Sequence, residues 1–383
     1  MMIVENFLPQ QYKQDSELNI NHNYLSQQFS DCDLILNKIK NVVLNNDFTL
    51  GTAVDHFEDK FKKLVHAKHA IAVGSGTDAL FLSLKALGIK EGDEIITTPF
   101  TFYATIGAIV TAGAKPVFAD ILDDYNIDPN QIESKITSKT KAILPVHWAG
   151  KPCHMDDINF IAKKNNLSVV EDACHAIQAS YKNRSAGTLG DIGCFSFHPL
   201  KNLNVWGDGG IITTNNDAFA DQLRLMRNHG LKGRDECVQF SYNSRLDTIQ
   251  AVVADHVLTT KLNHITESRI RNANYLDNAL RAIQQIIVPK RESDIRQVYH
   301  LYSVRCEQRD ALKNYLIKNG VDAKIHYPVP MHLQPAAKYL NYQQGDFPRT
   351  ELVCAQTLSL PVHEFISQND LDYMIDLIIR FYA

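Results

Sequence analysis

The stretch Cys194-Phe-Ser-Phe-His-Pro-Leu-Lys-Asn-Leu-Asn-Val-Trp-Gly-Asp-Gly-Gly210 places one lysine, Lys201, among aromatic and small residues. Upstream of it, the apolar run Leu167-Ser-Val-Val-Glu-Asp172 ends in an aspartate. A loop lysine preceded by a strand-end aspartate is the pair that a pyridoxal phosphate (PLP) site needs. The lysine bonds to the cofactor aldehyde, and the aspartate keeps the pyridine nitrogen protonated. The plainer alternatives are a surface lysine and an aspartate that caps a helix. The crowded surroundings of Lys201 predict a lowered pKa, which makes its amine a usable nucleophile and proton carrier.

Short apolar segments on both sides of this stretch predict a sheet that is buried on both faces. Several are rich in valine and isoleucine, and they alternate with helical patterns, which is typical of a mostly parallel sheet between helix layers. The predicted strands are residues 71–73, 94–97, 116–120, 142–147, 168–171, 193–197 and 210–214. The sequence therefore predicts an α/β fold with a seven-stranded sheet, whose ligand lies at the carboxyl ends of the strands.

The pattern changes after this sheet. Helical spacing begins near Leu246 and continues to about residue 280, and an α+β pattern follows from about residue 295. It consists of strands at 298–304 and 323–327, a helix at 310–318 and an amphipathic helix after Ser367. We predict an N-terminal arm at 1–50, a large cofactor-binding domain at 51–262 and a smaller C-terminal α+β domain at 263–383.

Composition excludes several classes of protein. The chain has 383 residues with a net charge of −4 and no basic run, so nucleic-acid binding has no electrostatic support. No apolar stretch approaches the roughly 18–20 residues of a membrane span, and the first residues lack the layout of a signal peptide. The seven cysteines are scattered, which favours reduced thiols in the cytoplasm over disulfides or a metal site.

Five further residues predict the remaining contacts of such a cofactor. Gly76 and Thr77, in the turn Gly74-Ser-Gly-Thr77, offer backbone N–H groups and a hydroxyl to a phosphate at a helix start, although a tight turn without a ligand is equally consistent. Ser196 is a second hydroxyl for the phosphate or simply a strand serine. Phe102 is a ring-stacking residue or core, and His175 is a contact to the ring hydroxyl or a structural histidine.

Ordered motifs give the sequence a resemblance that runs from about residue 45 to 365. The chain resembles the DegT/StrS-type sugar aminotransferases, which are fold-type I PLP enzymes. The motifs are Gly74-Ser-Gly-Thr-Asp-Ala-Leu80, Thr101-Phe-Tyr-Ala-Thr105, Pro145-Val-His147, Glu171-Asp-Ala173, Phe195-Ser-Phe-His-Pro-Leu-Lys-Asn-Leu203, Gly207-Asp-Gly-Gly210, Tyr242-Asn-Ser-Arg-Leu-Asp247 and Ile325-His-Tyr-Pro328.

The resemblance implies a role for each candidate. Lys201 would form the Schiff base with the cofactor and Asp172 would pair with the pyridine nitrogen. The phosphate would be held by Gly76, Thr77 and Ser196, the ring would be stacked by Phe102, and its hydroxyl would be contacted by His175. Asn243 would reach the phosphate of a neighbouring subunit, which implies a homodimer with composite sites. His326 would face the sugar.

The implied activity is the transfer of an amino group from glutamate to a keto sugar, with pyridoxamine phosphate as the loaded form of the cofactor. The motifs near 242–247 and 325–334 look most like the branch acting on dTDP-linked 3-keto-6-deoxyhexoses. Trp148 and Trp206 depart from the family pattern near the predicted cleft. The alternatives are a pyridoxamine-dependent sugar dehydratase, in which a histidine replaces the lysine, and a non-catalytic sensor on the same fold.

Overall fold

A computed structural model describes residues 8–383. Its strands, in chain order, are β1 His69–Val73, β2 Glu94–Thr97, β3 Lys115–Phe118, β4 Thr140–Ile143, β5 Ser168–Asp172, β6 Ser180–Tyr181, β7 Arg184–Ser185, β8 Ile192–Ser196, β9 Gly210–Thr214, β10 Ile286–Ile287, β11 Ile295–Arg296, β12 Tyr302–Cys306 and β13 Thr357–Leu360. The α-helices are α1 Leu25–Gln28, α2 Cys32–Leu44, α3 Thr52–Val65, α4 Gly76–Ala86, α5 Tyr103–Thr111, α6 Pro129–Ile132, α7 Met155–Lys164, α8 Asp217–Met226, α9 Thr248–Thr260, α10 Leu262–Leu280, α11 Arg309–Lys318, α12 Pro348–Gln356 and α13 Gln368–Tyr382.

The large sheet has seven strands in the order β1-β9-β8-β5-β4-β2-β3. Strands β8, β5, β4, β2 and β3 run parallel, and β9 is antiparallel to both β1 and β8. The predicted mostly parallel sheet is therefore confirmed, with strand bounds that differ from the predicted ones by at most four residues. The largest difference is at β4, which ends at Ile143, although Val146 still pairs with Asp172 through an isolated bridge.

Helices cover both faces of this sheet, as the near-continuous apolar strands require. Strand β1 illustrates the arrangement because successive side chains point to opposite faces. Ala70 and Ala72 pack into a core shared with α3 and α9, whereas Ile71 and Val73 pack into a core shared with α4, α5 and α8. The sheet is thus the middle of three layers, and its carboxyl edge is left for a site.

The C-terminal part is an α+β unit with its own core. Strands β10, β12 and β13 form an antiparallel sheet in that order, and α10, α11 and α13 pack on it. The fold class is therefore confirmed. The predicted strand at 323–327 is wrong, because only Lys324 pairs, with Ser359 of β13, and Pro328 soon removes a backbone donor. The predicted domain bounds remain a prediction.

The N-terminal segment lies against both parts of the chain. Ile20 pairs with Val321, Gln28 exchanges side-chain hydrogen bonds with Asn204, and α2 packs along α9. Residues 1–7 of the predicted arm lie outside the described residues. Among the helices of residues 8–383, none combines the length and the apolar character needed to cross a membrane.

Candidate active site

The sheet brings four of the predicted residues to one edge. Asp172 is the last residue of β5 and is paired with Cys194 of the parallel neighbour β8, which ends two residues later at Ser196. Lys201 lies in the loop that follows β8, and Gly76 begins α4. Because β5 and β8 are parallel, their carboxyl ends coincide, and the sequence separation between Asp172 and Lys201 becomes spatial proximity.

Asp172 is held in place by two donors. The Thr105 hydroxyl donates to Asp172 Oδ2 at 2.8 Å, and the Cys174 backbone N–H donates to Asp172 Oδ1 at 3.2 Å. Thr105 is in turn joined to the Thr101 hydroxyl at 2.7 Å. Asp172 as a whole is only 5% exposed. Such an oriented, buried carboxylate can pair with one cationic group placed at the edge of the sheet.

Lys201 is the nearby cationic side chain. Burial lowers the pKa of its ammonium group, and the neighbouring Cys174 and Asp172 oppose that shift. Desolvation therefore outweighs the attraction of Asp172. A lysine of lowered pKa is more often present as the free amine, which is the nucleophilic form.

The Glu171 carboxylate stabilises the strand that presents Asp172. It is fully buried and accepts hydrogen bonds from His147 Nε2 at 2.8 Å and from the backbone N–H groups of Gly187, Leu189 and Gly190 at 2.6 to 2.7 Å. Four donors satisfy a charge that would otherwise be costly to bury. Glu171 therefore ties the end of β5 to the loop before β8.

The turn before α4 forms a cup beside Asp172. Ser75 caps the helix by accepting the Asp78 N–H at 3.0 Å, which leaves the first N–H groups of the helix facing outward. A Cβ atom on Gly76 would lie 2.5 Å from Ser196 Cβ and 3.1 Å from Cys174 Sγ. Only glycine fits, so the backbone approaches Ser196 closely, while Thr77 is exposed at the rim. Helix dipole, hydroxyls and free N–H groups fit a phosphate.

Ser244 joins this cup to a distant part of the chain. Its hydroxyl donates to Asp78 Oδ2 at 2.8 Å and accepts the Gly74 N–H at 3.2 Å. The preceding residue, Asn243, is exposed and pairs with Asn228 through its backbone. Asn243 therefore stands at the surface directly beside a residue that holds the cup.

His175 follows Asp172 in the next turn of the chain and is held there by a tight turn. Its Nδ1 accepts the backbone N–H of Ala149 at 3.2 Å. Gly150 adopts a φ of +86°, and a Cβ there would lie 2.8 Å from the His175 carbonyl oxygen. Burial holds the pKa of His175 well below 6.5, and the Lys201 charge lowers it further. The ring is therefore neutral near pH 7.

Aromatic residues form another wall. Phe102 precedes α5 and is 50% exposed, so it is not a core residue. Its ring centroid lies 6.1 Å from that of Tyr327, which also lies 6.2 Å from Phe100. Burial raises the pKa of Tyr327, and the Asp172 charge adds to that rise. Tyr327 belongs to the same aromatic wall as Phe102 and Phe100.

His326 is also placed near Lys201. Burial lowers its pKa to about 3, with further contributions from His22 and from Lys201. Its Nδ1 lies 3.0 Å from the Ser359 hydroxyl. The C-terminal unit thus contributes a neutral histidine to the same region, and His22 of the N-terminal segment lies beside it with ring centroids 6.3 Å apart.

The two tryptophans differ from each other in their surroundings. Trp148 is 2% exposed and packs with Phe100 and Tyr125, so it belongs to the core. Trp206 is partly buried, and its ring forms a T-shaped pair with Phe29, with ring centroids 5.6 Å apart.

One cluster among the described residues has the spacing of metal ligands, but a lysine fills it. Ligand atoms of Asp124, His154 and Glu292 lie within 4.8 Å of one another. The buried Lys151 ammonium lies 2.7 Å from Asp124 and 2.8 Å from Glu292. The cluster is therefore a buried ion-pair network in which lysine supplies the positive charge.

Several residues of the site had no role in the sequence prediction. Thr105 and Tyr327 stand inside motifs quoted above. Their place in those motifs could have indicated that they lie at the site. Ser244 also stands inside a quoted motif, Tyr242–Asp247, and Cys174 directly follows the motif Glu171–Ala173. His300, whose ring centroid lies 4.3 Å from that of His175, is brought to the site by packing between distant segments, so spacing gave no signal for it.

The comparisons with known proteins agree with this geometry. The model of the DegT/DnrJ/EryC1/StrS aminotransferase family matches residues 31–379. A relative from Geobacillus stearothermophilus named pleiotropic regulatory protein is 40% identical over 94% of this chain and 97% of its own. The dTDP-3-amino-3,6-dideoxy-alpha-D-galactopyranose transaminase of Aneurinibacillus thermoaerophilus is 39% identical over 87% of this chain and 91% of its own.

The solved structures give the same result. A crystal structure of DesV from S. venezuelae in complex with a ketimine intermediate superposes with a TM-score of 0.91 at 34% identity, and the match covers 94% of this chain and 97% of that one. The chain belongs to the DegT/DnrJ/EryC1/StrS aminotransferase family and has the fold-type I architecture of PLP-dependent aminotransferases.

Proposed function

We propose that this chain transfers the amino group of glutamate to a nucleotide-linked keto sugar, with a dTDP-linked 3-keto-6-deoxyhexose as the preferred acceptor, in amino-sugar biosynthesis. The observation that carries the proposal is the convergence of Lys201, Asp172 and the Gly76–Ser196 cup on one edge of the sheet. The dTDP-sugar transaminase with 39% identity supports the substrate class.

The cup residues fit the proposed cofactor. Gly76, Thr77 and Ser196 would hold its phosphate at the start of α4, where the helix dipole favours an anion. Phe102 would cover one face of its ring, and His175 would donate Nε2–H to the ring hydroxyl because its Nδ1 is already occupied by Ala149. When bound, PLP supplies an electron-accepting ring that stabilises negative charge on the substrate carbon.

Two side chains would carry the proton chemistry. Asp172, oriented by Thr105 and Cys174, would keep the ring nitrogen protonated. Lys201 would take a proton from the carbon of the amino donor and deliver it to the second carbon, first as a base and then as an acid. Its lowered pKa places more of it in the basic form. His326 would contact the sugar.

The surface near Asn243 supports a homodimer with composite sites. Phe240 is fully exposed, and Val238 and Tyr242 are 48% and 39% exposed. Contiguous exposed apolar side chains are typical of interaction surfaces. In the proposed dimer this segment would seat against a second copy, and Asn243 would reach the phosphate in the partner's cup.

Two other functions remain as alternatives. A pyridoxamine-dependent dehydratase would use a histidine in place of the lysine, and this chain has Lys201. A non-catalytic regulator is favoured by one observation, the name of the Geobacillus relative. Retention of Lys201, Asp172 and the cup argues for catalysis.

One experiment separates the three. Purified protein with PLP and ¹⁵N-labelled glutamate is mixed with a panel of dTDP- and UDP-linked keto sugars, and the products are analysed by mass spectrometry. The proposed function predicts a ¹⁵N-labelled amino sugar, and none from Lys201→Ala. A product that lacks an oxygen would indicate the dehydratase. A visible band of bound cofactor that glutamate and other amino donors leave unchanged would indicate the regulator.

A further inference from the structure

His300 packs against the ring of His175. The two ring centroids are 4.3 Å apart and the planes are tilted by 41°. Both side chains are partly buried, and within residues 8–383 the enclosed Nδ1 atom of His300 has no hydrogen-bond partner. The contact between the two histidines is therefore ring against ring, and it involves no hydrogen bond of His300 Nδ1.

The segment that carries His300 is fixed from two sides. Val298 donates its N–H to the Gly150 carbonyl at 3.1 Å, and Gly150 can have no side chain because a Cβ would lie 2.6 Å from Val298 Cγ2. On the other side, Arg269 Nη1 donates to the carbonyls of Tyr299 and His300 at 3.1 and 3.2 Å. These contacts fix the backbone that carries the His300 ring.

The same turn sets the tautomer of His175. Because Ala149 donates its N–H to His175 Nδ1 at 3.2 Å, that nitrogen must present a lone pair, and the neutral ring carries its proton on Nε2. If the His175 ring rotated, it would lose this hydrogen bond, and Nε2–H would no longer face the proposed cofactor. His300 covers the ring and limits that rotation.

We propose that His300 is a positioning residue that holds the imidazole of His175 in the orientation and tautomer that present Nε2–H to the cofactor. The proposal rests on the proposed function, in which His175 contacts the ring hydroxyl. His300 acts through its flat ring, and its nitrogen atoms are not required.

The test is a double-mutant cycle on cofactor binding. The apo forms of the wild type, His300→Ala, His175→Ala and the double variant are titrated with PLP, and the absorbance maximum of the bound cofactor is recorded. We expect His300→Ala to weaken PLP binding about two- to tenfold, which corresponds to the interaction energy of an aromatic pair. We also expect it to shift the absorbance maximum in the same direction as His175→Ala does. In the His175→Ala background the same change should have little further effect.

Two more variants sharpen the result. His300→Phe keeps a flat ring and should restore the wild-type maximum and most of the affinity. His56→Ala, an exposed histidine on α3, is the control and should match the wild type. Equal losses in both backgrounds would overturn the proposal. So would an unchanged maximum with a lowered melting temperature, because that is the signature of a purely structural role.

The outcome is separable from a failure of the proposed function. If the wild type forms no visible band with PLP, the proposed function fails and this inference fails with it. If the wild type forms the band and the cycle is additive, only the role of His300 is overturned. A raised KM for the sugar with an unchanged band would also overturn it, since His300 would then contact the substrate.

Discussion

A methyl group on Gly76 would lie 2.5 Å from the Cβ atom of Ser196, much closer than two such carbons approach in proteins. The start of α4 and the end of β8 can meet only because position 76 has no side chain. This contact brings the helix N-terminus and the Ser196 hydroxyl to the same place, which is the basis of the proposed phosphate cup.

Gly76→Ala should therefore disturb the cup. Overpacking a tight contact costs about 1–3 kcal/mol, and displacement of the helix start should weaken PLP binding about tenfold or more. Urea unfolding of the apo protein and a PLP titration measure the two effects. Gly107→Ala, within α5 and facing open space, is the matched control and should be neutral or slightly stabilising. Wild-type affinity in Gly76→Ala would contradict the assignment of the cup.

Thr105 orients Asp172, and its hydroxyl can be removed without changing the shape of the side chain. Thr105→Val deletes the 2.8 Å hydrogen bond to Asp172 Oδ2, and loss of a donor to a buried carboxylate costs about 1–3 kcal/mol. We expect kcat to fall about tenfold or more, because one of the two bonds that aim the carboxylate is lost. Initial rates with glutamate and a keto-sugar nucleotide measure this.

Two control variants test whether the Thr105 hydroxyl itself is responsible. Thr105→Ser keeps the hydroxyl and should retain most of the activity. Thr111→Val removes an exposed hydroxyl that donates to the carbonyls of Gly107 and Ala108 within the same helix, so its rate should be unchanged. If Thr105→Val also kept the wild-type rate, orientation of Asp172 by this hydroxyl would have no part in catalysis.

The large sheet could be predicted because its strands are buried on both faces and read as short apolar runs. The place of Asp172 at the end of a strand and that of Lys201 in the loop after the next parallel strand could be predicted, because each stands beside an apolar run; their roles stay predictions. The prediction of a strand at 323–327 was wrong, because the local sequence pattern did not decide the pairing. Its alternating pattern resembles a strand, but pairing is decided by the neighbour, and only Lys324 meets Ser359 before Pro328 interrupts.

The positions of Ser244 and His300 could not be predicted for a related reason. Each reaches the site through contacts between segments far apart in the chain, namely Ser244 with Gly74 and His300 with His175. Hydrophobic periodicity reports which face of an element is buried. It does not report which distant element covers that face.

The charge of Asp172 should control the titration of Lys201. Burial lowers the pKa of Lys201 below 10.5, and Asp172 opposes this by favouring the ammonium form. Removing that charge in Asp172→Asn should lower the pKa further. The rate at which the apo protein captures PLP rises with the free amine, so the midpoint of its pH profile should move to lower pH. Stopped-flow absorbance between pH 6 and 10 would measure it.

Asp208→Asn serves as the comparison for that shift. Asp208 is exposed, and its charge acts on His198 and Tyr12, so the midpoint for Lys201 should stay where it is. A midpoint that moved to higher pH in Asp172→Asn, or did not move, would show that Asp172 does not act on the Lys201 amine.

Glu171 should be among the most sensitive positions for folding, although it makes no proposed contact with a ligand. Its carboxylate is fully buried and accepts four hydrogen bonds. Glu171→Gln would turn an amide donor toward groups that are themselves donors and leave one or more unsatisfied. Breaking a buried charged network costs about 3–5 kcal/mol, and we expect a loss of that size in the free energy of unfolding in urea.

Glu133→Gln is the control. It removes an exposed partner of Lys164 and should cost less than about 1 kcal/mol. A similar small loss at both positions would mean that the network around Glu171 contributes little, and that Asp172 is placed by the sheet alone.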